Sequence, residues 1–228
     1  MKYLNAQKGI KKIYASGIFA VCAAVISTGI TLLLDILSRV FEGLSEFVSS
    51  DWGIICLFLC YSVSFVFMTL TAVLGCVGYY QASKDEPEFK KAMMCTLAVG
   101  ALTVIGSVFQ IPNSTLYTTL YAAAMIVEMF VMVFAVTGQM HLAERCERSD
   151  MVSKGDVLLK IIVALYIVTA LNTICIRLFG LDKHTKMIAY ITSALDLGLN
   201  IVQYVIFLKY LKQTQGMLKE SQTGEATT

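Results

Sequence analysis

The chain has two prolines, one tryptophan and two histidines in 228 residues, and only 15% of its positions are charged. A soluble domain carries about a quarter of its residues as Asp, Glu, Lys or Arg, so an ordinary water-facing surface is excluded. Pro87 and Pro112 both fall between long apolar runs, and the runs therefore lack the residue that most strongly breaks a helix. Seven cysteines are present without a C-x-x-C, and neither His141 nor His184 has a cysteine pair beside it. That excludes a zinc framework of ordinary spacing, and the cysteines are read as small apolar packing residues. H-E-x-x-H, G-x-S-x-G, P-loop and Asp-rich metal motifs are missing as well. An enzyme, a metal site and a cofactor are not expected. His141 is read as an interfacial side chain.

What the sequence has is hydrocarbon: 57% of positions are hydrophobic. About 20 apolar residues cross a bilayer core of ~30 Å. Runs of that length recur at 13–34, 54–77, 92–111, 116–138, 159–179 and 187–208. The expected fold class is all-α, a polytopic membrane protein with six transmembrane helices in one domain, 1–228, ending in a flexible tail at 212–228. The first run follows Lys8, Lys11 and Lys12. It is too long for a signal peptide, no small-x-small cleavage site closes it, and a retained anchor is expected.

Orientation follows from the basic residues. The N-terminus, the 78–91 and 139–160 connections and the segment after Phe207 hold 14 of the 18 Lys and Arg residues. Both termini are therefore expected in the cytoplasm. The connection after the first run carries Asp35, Glu42, Glu46 and Asp51 against Arg39, which suits the outer side. A net charge of +2 expresses this topology and does not suggest a nucleic-acid partner.

"IKKI" (10–13), "FKKA" (89–92) and "LLKI" (158–161) open the odd-numbered runs, and "ASKDE" (82–86) and "AERCE" (143–147) close the second and fourth. This suggests three helical hairpins in parallel orientation. The segment "GYYQASKDEPEFKKA" (78–92) resembles a motif of small, uncharacterised bacterial membrane proteins with six transmembrane helices. The resemblance implies that architecture and the bacterial cytoplasmic membrane, and no activity. In physical terms Tyr79 and Tyr80 suit an interface, and Pro87 suits the first turn of the next helix. Small residues spaced as Ala20-x-x-x-Ala24 and Thr96-x-x-x-Gly100 suit close helix contacts.

The chemistry of interest lies inside the runs. Glu128, in "AAAMIVEMFVMVFAV", is 11 residues from Gln139 and 12 from Leu116, which places it ~16–18 Å from either end of its helix. Ser193, Asp196, Asn200 and Gln203 follow one another at i, i+3, i+7 and i+10, a single helical stripe. Thr169 and Asn172 add polar groups to the fifth run. No Lys or Arg occurs at that depth. A charged carboxylate at the bilayer centre costs at least ~2.5–3.5 kcal/mol, and neutralising a Glu at pH 7 costs about 4 kcal/mol at 1.36 per pH unit. The costs are comparable, so the carboxylates are either neutral hydrogen-bonding acids or are met by a cation.

Two functions fit. In one, Glu128, Asp196, Asn200, Gln203, Ser193 and Asn172 form the substrate- or ion-binding centre of a small transporter or of the substrate-binding subunit of one. The expected partners are then the lipid bilayer, a small polar or cationic solute and a membrane partner subunit. In the other, the chain is a non-transporting scaffold, assembly factor or regulator, with "SKDEPEFKK" and "AERCERSDMVSKGD" as its working surfaces. The charge pattern makes a prediction of its own. In a cysteine-free background, single cysteines at Ser45 and Lys183 should react with an impermeant maleimide in intact cells, and those at Ser83 and Ser149 should not. Labelling at Ser83 would overturn the orientation.

Overall fold

The computed structural model describes residues 3–30, 51–108, 115–178 and 186–224. Among them the backbone is helical apart from Tyr3 and the turns at 83–87 and 146–148, and no strand occurs. Helix α1 runs over Leu4–Ala24 and continues through a π-helical turn, Val25–Gly29. It is followed by α2 (Asp51–Ala82), α3 (Glu88–Val108), α4 (Thr115–Arg145), α5 (Ser149–Leu178) and α6 (Lys186–Gly224). Helices α1 to α4 are long and apolar enough to cross a membrane. Polar ends, 149–156 and 209–224, make up a larger share of α5 and α6. The chain is thus a helical membrane protein.

Each helix packs against its neighbour in the chain, most extensively α1 with α2 and α3 with α4, and α6 returns to α1. The contact of α4 with α5 is broader than that of α5 with α6. The first two pairs therefore look like hairpins, while the third is looser. The connections are tighter than the sequence suggests. Residues 78–82 still belong to α2 and 139–145 to α4, so "GQMHLAER" is helical. Residues 212–224, expected as a flexible tail, continue α6, and Thr214, Met217 and Leu218 are buried. At 39 residues α6 is about 58 Å long, almost twice a hydrocarbon core.

Packing is uneven along the helices. The core gathers where α1, α3 and α5 begin and α2, α4 and α6 end, around Ile10, Phe89, Leu142, Ile162, Leu211 and Leu218. This charged end carries Lys8, Lys11, Lys84, Lys90, Lys91, Arg145 and Arg148. Away from it the helices present large apolar side chains outwards, Phe58 at 71% and Phe65 at 72% exposure among them. A water-soluble protein does not sustain such a patch. A bilayer covers it without cost, which is why these helices are apolar on all sides.

Close backbone approach fixes the α1–α2 crossing at the charged end. A Cβ on Gly9 would lie 2.5 Å from the carbonyl oxygen of Gly78 and 2.6 Å from the amide nitrogen of Ala82. A Cβ on Gly78 would lie 2.8 Å from the Gly9 carbonyl oxygen. Further along, Ser16 Oγ donates to the Thr71 carbonyl at 2.8 Å, Thr71 Oγ1 donates to the Ser16 carbonyl at 3.3 Å, and Ser64 Oγ donates to the Ala23 carbonyl at 3.3 Å. Hydroxyl-to-carbonyl bonds of this kind hold helices together where water is absent. Across the α3–α4 pair, Gly138 faces the ring of Phe89. Gly100, expected at a close contact, has nothing within 4 Å of the Cβ it lacks. Spacing marked a small residue there, but among the described residues nothing packs against that position.

The turn between α4 and α5 uses Glu147 in the left-handed region, at φ 58. Its amide donates to the Glu144 carbonyl, and the Arg148 amide donates to Ala143, the paired bonds of a Schellman cap. At the other turn Pro87 immediately precedes α3, with the Phe89 amide donating to the Glu86 carbonyl, as its position in sequence predicts.

The glycine crossing is testable by substitution. Gly9→Ala or Gly78→Ala forces backbone against backbone, and overpacking of this kind costs about 1–3 kcal/mol. Gly100→Ala should be neutral or slightly stabilising, since Ala is the better helix former. Unfolding midpoints in mixed detergent should drop for the first two variants and hold for the third. Equal tolerance would show that the crossing is not close-packed.

Candidate functional site

Two polar clusters stand out, one at mid-depth and one at the charged end. Glu128 lies midway along α4, partly buried, and receives a hydrogen bond at 3.2 Å from the hydroxyl of Tyr204 on α6. Tyr79 on α2 and Tyr166 on α5 are near enough to interact electrostatically with the same carboxylate and with Tyr204. Both phenols are buried, at 5% and 6% exposure. Gln203 is buried, with its side-chain amide against the Tyr166 phenol. Four helices thus bring polar groups to one carboxylate.

Of the residues singled out from the sequence, Glu128 and Gln203 belong to this cluster through Tyr204 and Tyr166. Asn200 and Asn172 are half-buried and each is engaged by neighbours, and Thr169 is buried. Ser193 and Asp196 lie on α6, with side chains outside the described residues. The tyrosines were the missed partners. Tyr79, grouped with Tyr80 as an interface residue, turns inward, whereas Tyr80 is 55% exposed. A signal was available in "VALYIVT" and "IVQYVIF", because a phenol within an apolar run has to find a partner.

The second cluster locks the charged end. Asp85 caps α1 from outside, accepting the Ala6 amide at 2.7 Å and the Asn5 side-chain amide at 3.1 Å. Acidic groups are favourable at a helix N-terminus, where free amides and the dipole point outwards. Next to it Glu86 is buried at 1% exposure. Its Oε2 lies 2.7 Å from Arg145 Nη2, an ion pair without good hydrogen-bond angles, and its Oε1 lies 3.2 Å from His141 Nδ1. His141 therefore has a partner that its sequence context did not reveal. Arg145 Nη1 also donates to the Asp85 carbonyl at 3.0 Å.

Helix α6 is fastened to the same end. Thr214 Oγ1 donates to Gln139 Oε1, the Tyr210 hydroxyl donates to the Met151 carbonyl, and Arg148 pairs with Glu220. The Arg148 guanidinium also hydrogen-bonds Asp150 and holds that carboxyl below the usual range. His184 lies outside the described residues. Groups of three or more His, Cys, Asp or Glu placed to hold a metal are absent among the described residues. No family model, curated protein or solved structure matches the chain.

Removing one partner of a buried ion pair costs about 3–5 kcal/mol, because the other charge is left behind. Glu86 is buried but Arg145 is 46% exposed, so Arg145→Ala should destabilise by less than that, about 1–2 kcal/mol, in detergent-unfolding titrations. Adding Glu86→Gln to that variant should recover at least half of the loss, since the stranded charge is gone. Strictly additive effects in this cycle would mean that the two residues do not interact.

Proposed function

We propose that the chain crosses the bacterial cytoplasmic membrane six times, with both termini inside. In this reading it acts as a small transporter, or the substrate-binding subunit of one, for a small polar or cationic solute. The observation that carries it is the mid-depth cluster. A carboxylate with a phenol donor, two further buried phenols and a buried amide is more polarity than helix adhesion requires. Ionisable groups at this depth commonly mark solute or ion pathways. The distribution of basic residues supports the orientation. Asp196 and Ser193 extend the same stripe of α6 in sequence, and no step of the proposal needs an enzyme's nucleophile or base.

One observation favours a second reading as a scaffold or assembly factor. Glu144, Glu147, Lys154 and Asp156 are exposed around the α4–α5 turn, a charged surface open to a partner subunit.

Glu128→Gln separates the two. Gln keeps the shape and can still bond Tyr204, so the variant should stay folded, within about 1 kcal/mol of wild type. Under the transporter reading, solute flux or ligand binding in proteoliposomes should lose its pH dependence. Under the scaffold reading, all measured properties should survive, while charge reversal at Glu144 and Asp156 should release a co-purifying partner.

A further inference from the structure

Charge at the charged end is distributed unequally among the helices. Lys91, Arg145, Arg148, Lys154 and Lys160, between the start of α3 and the first turns of α5, each pair with a carboxylate. Helix α1 holds no Asp or Glu over Leu4–Ala24, and α6 holds none from 197 to 219. On these two helices Lys11, Lys209 and Lys212 are exposed and have no ion pair among the described residues.

The packing of α6 on α1 sets those lysines along one seam. A Cβ on Gly17 would lie 2.8 Å from Leu208 Cδ2, which fixes the register. The helices run in opposite directions, since α1 begins and α6 ends at the charged end. Lys11 is therefore ~9 Å and Lys212 ~6 Å along the axis from that contact, both towards the charged end. On α1, Lys11 and Tyr14 lie on one flank of Gly17, and the buried Ile13 and Ser16 lie on the other. On α6, Lys209 and Lys212 lie on one flank of Leu208, and the buried Phe207 and Leu211 lie on the other. Buried flanks face the bundle, so the lysines border a groove on its outside.

The groove changes character with depth. Ile18 is seven residues from Lys11, and Val205 is seven from Lys212. Each therefore shares its lysine's face two turns further from the charged end, a step of ~10 Å. Both are exposed. Between the two levels Tyr14 is half-buried, a phenol that suits an interface and can donate to a phosphate oxygen. Cations at one level and hydrocarbon at the next match a molecule that is anionic at its head and apolar along its length.

We propose that the outer α1–α6 groove binds an acidic phospholipid. Its phosphate meets Lys11, Lys209 and Lys212, and its acyl chains lie along Ile18 and Val205. Basic clusters where membrane helices leave the hydrocarbon recognise anionic headgroups, and lysine stems snorkel to reach them. A zwitterionic lipid fits less well, because its own cationic group is repelled by the lysines. The paired lysines of α3 and α5 offer less, since neighbouring carboxylates offset their charge. The site is independent of whether the mid-depth cluster carries a solute.

Native mass spectrometry of the full chain tests the site, with protein released from micelles holding phosphatidylglycerol and phosphatidylcholine in equal amounts. Wild type should retain one phosphatidylglycerol with a preference of about tenfold, the scale expected for a few lysines at an anionic headgroup. Lys11→Gln combined with Lys212→Gln should abolish the preference. Lys84→Gln combined with Lys90→Gln removes the same charge elsewhere at the charged end and should keep it. All four lysines are exposed, and the wild-type comparison needs no variant to fold. Glycerol phosphate, a headgroup without chains, should not displace the lipid at equal concentration. The absence of a preference in wild type overturns the proposal. Equal loss in both double variants overturns it in favour of diffuse attraction to the whole end. Displacement by glycerol phosphate overturns it in favour of a site for soluble phosphate.

Discussion

Arg145 reaches from the last turn of α4 to two successive residues of the α2–α3 turn, the carbonyl of Asp85 and the buried carboxylate of Glu86. Asp85 in turn caps α1. One guanidinium thus aligns the start of α1, the end of α2, the start of α3 and the end of α4. The glycine crossing at Gly9 and Gly78 lies one turn deeper and depends on that alignment, because a shift of an ångström would put backbone into backbone. An Arg suits this position better than a Lys would. Its fork can meet a carbonyl and a carboxylate at once, with a geometry a point charge lacks.

The consequence is a protein with one closed end. At the charged end Asp85, Glu86, Gln139 and Thr214 all have partners, and the apolar core gathers there. Away from it α1 and α2 also meet through hydroxyl–carbonyl bonds, and the helices expose apolar side chains. In a bilayer the difference costs little, since lipid tails are as apolar as the side chains they touch. It does mean that energetic coupling between helices is concentrated at one end. Helix α6 bridges both regions, with Gln203 and Tyr204 at mid-depth and Tyr210, Thr214 and Glu220 in the closed end.

The architecture was legible because hydrocarbon thickness imposes a length on every apolar run, and a run of that length has few alternatives to a helix. The carboxylate at 128 was legible for the same reason, as a charge where none is comfortable. Its partners were not. Tyr204 and Tyr166 sit in apolar runs where a phenol passes for an aromatic packing residue, and only the three-dimensional approach of the helices makes Tyr204 a donor to Glu128 and sets Tyr166 against Gln203. Glu86 and Arg145 are separated by 59 residues in a region rich in charge, so their pairing could not be told from other pairings there. Helix ends were misplaced because sequence marks where hydrocarbon stops, while the helices continue past it until Glu147 and the Asp85 turn stop them.

The two clusters place opposite demands on the same helices. A carboxylate buried at 1% exposure and paired with a half-exposed guanidinium is costly to leave unpaired. A mid-depth carboxylate that changes charge needs its surroundings to rearrange, if only by turning hydroxyls and an amide. Rotation of the Tyr204 side chain meets that need without moving backbone, so the locked end is compatible with it. A larger solute would require more. The closed end would have to part, and the first contacts to yield would be the outermost ones, Arg148 with the 73%-exposed Glu220, because exposed pairs contribute little. Arg145 and Glu86 would yield last.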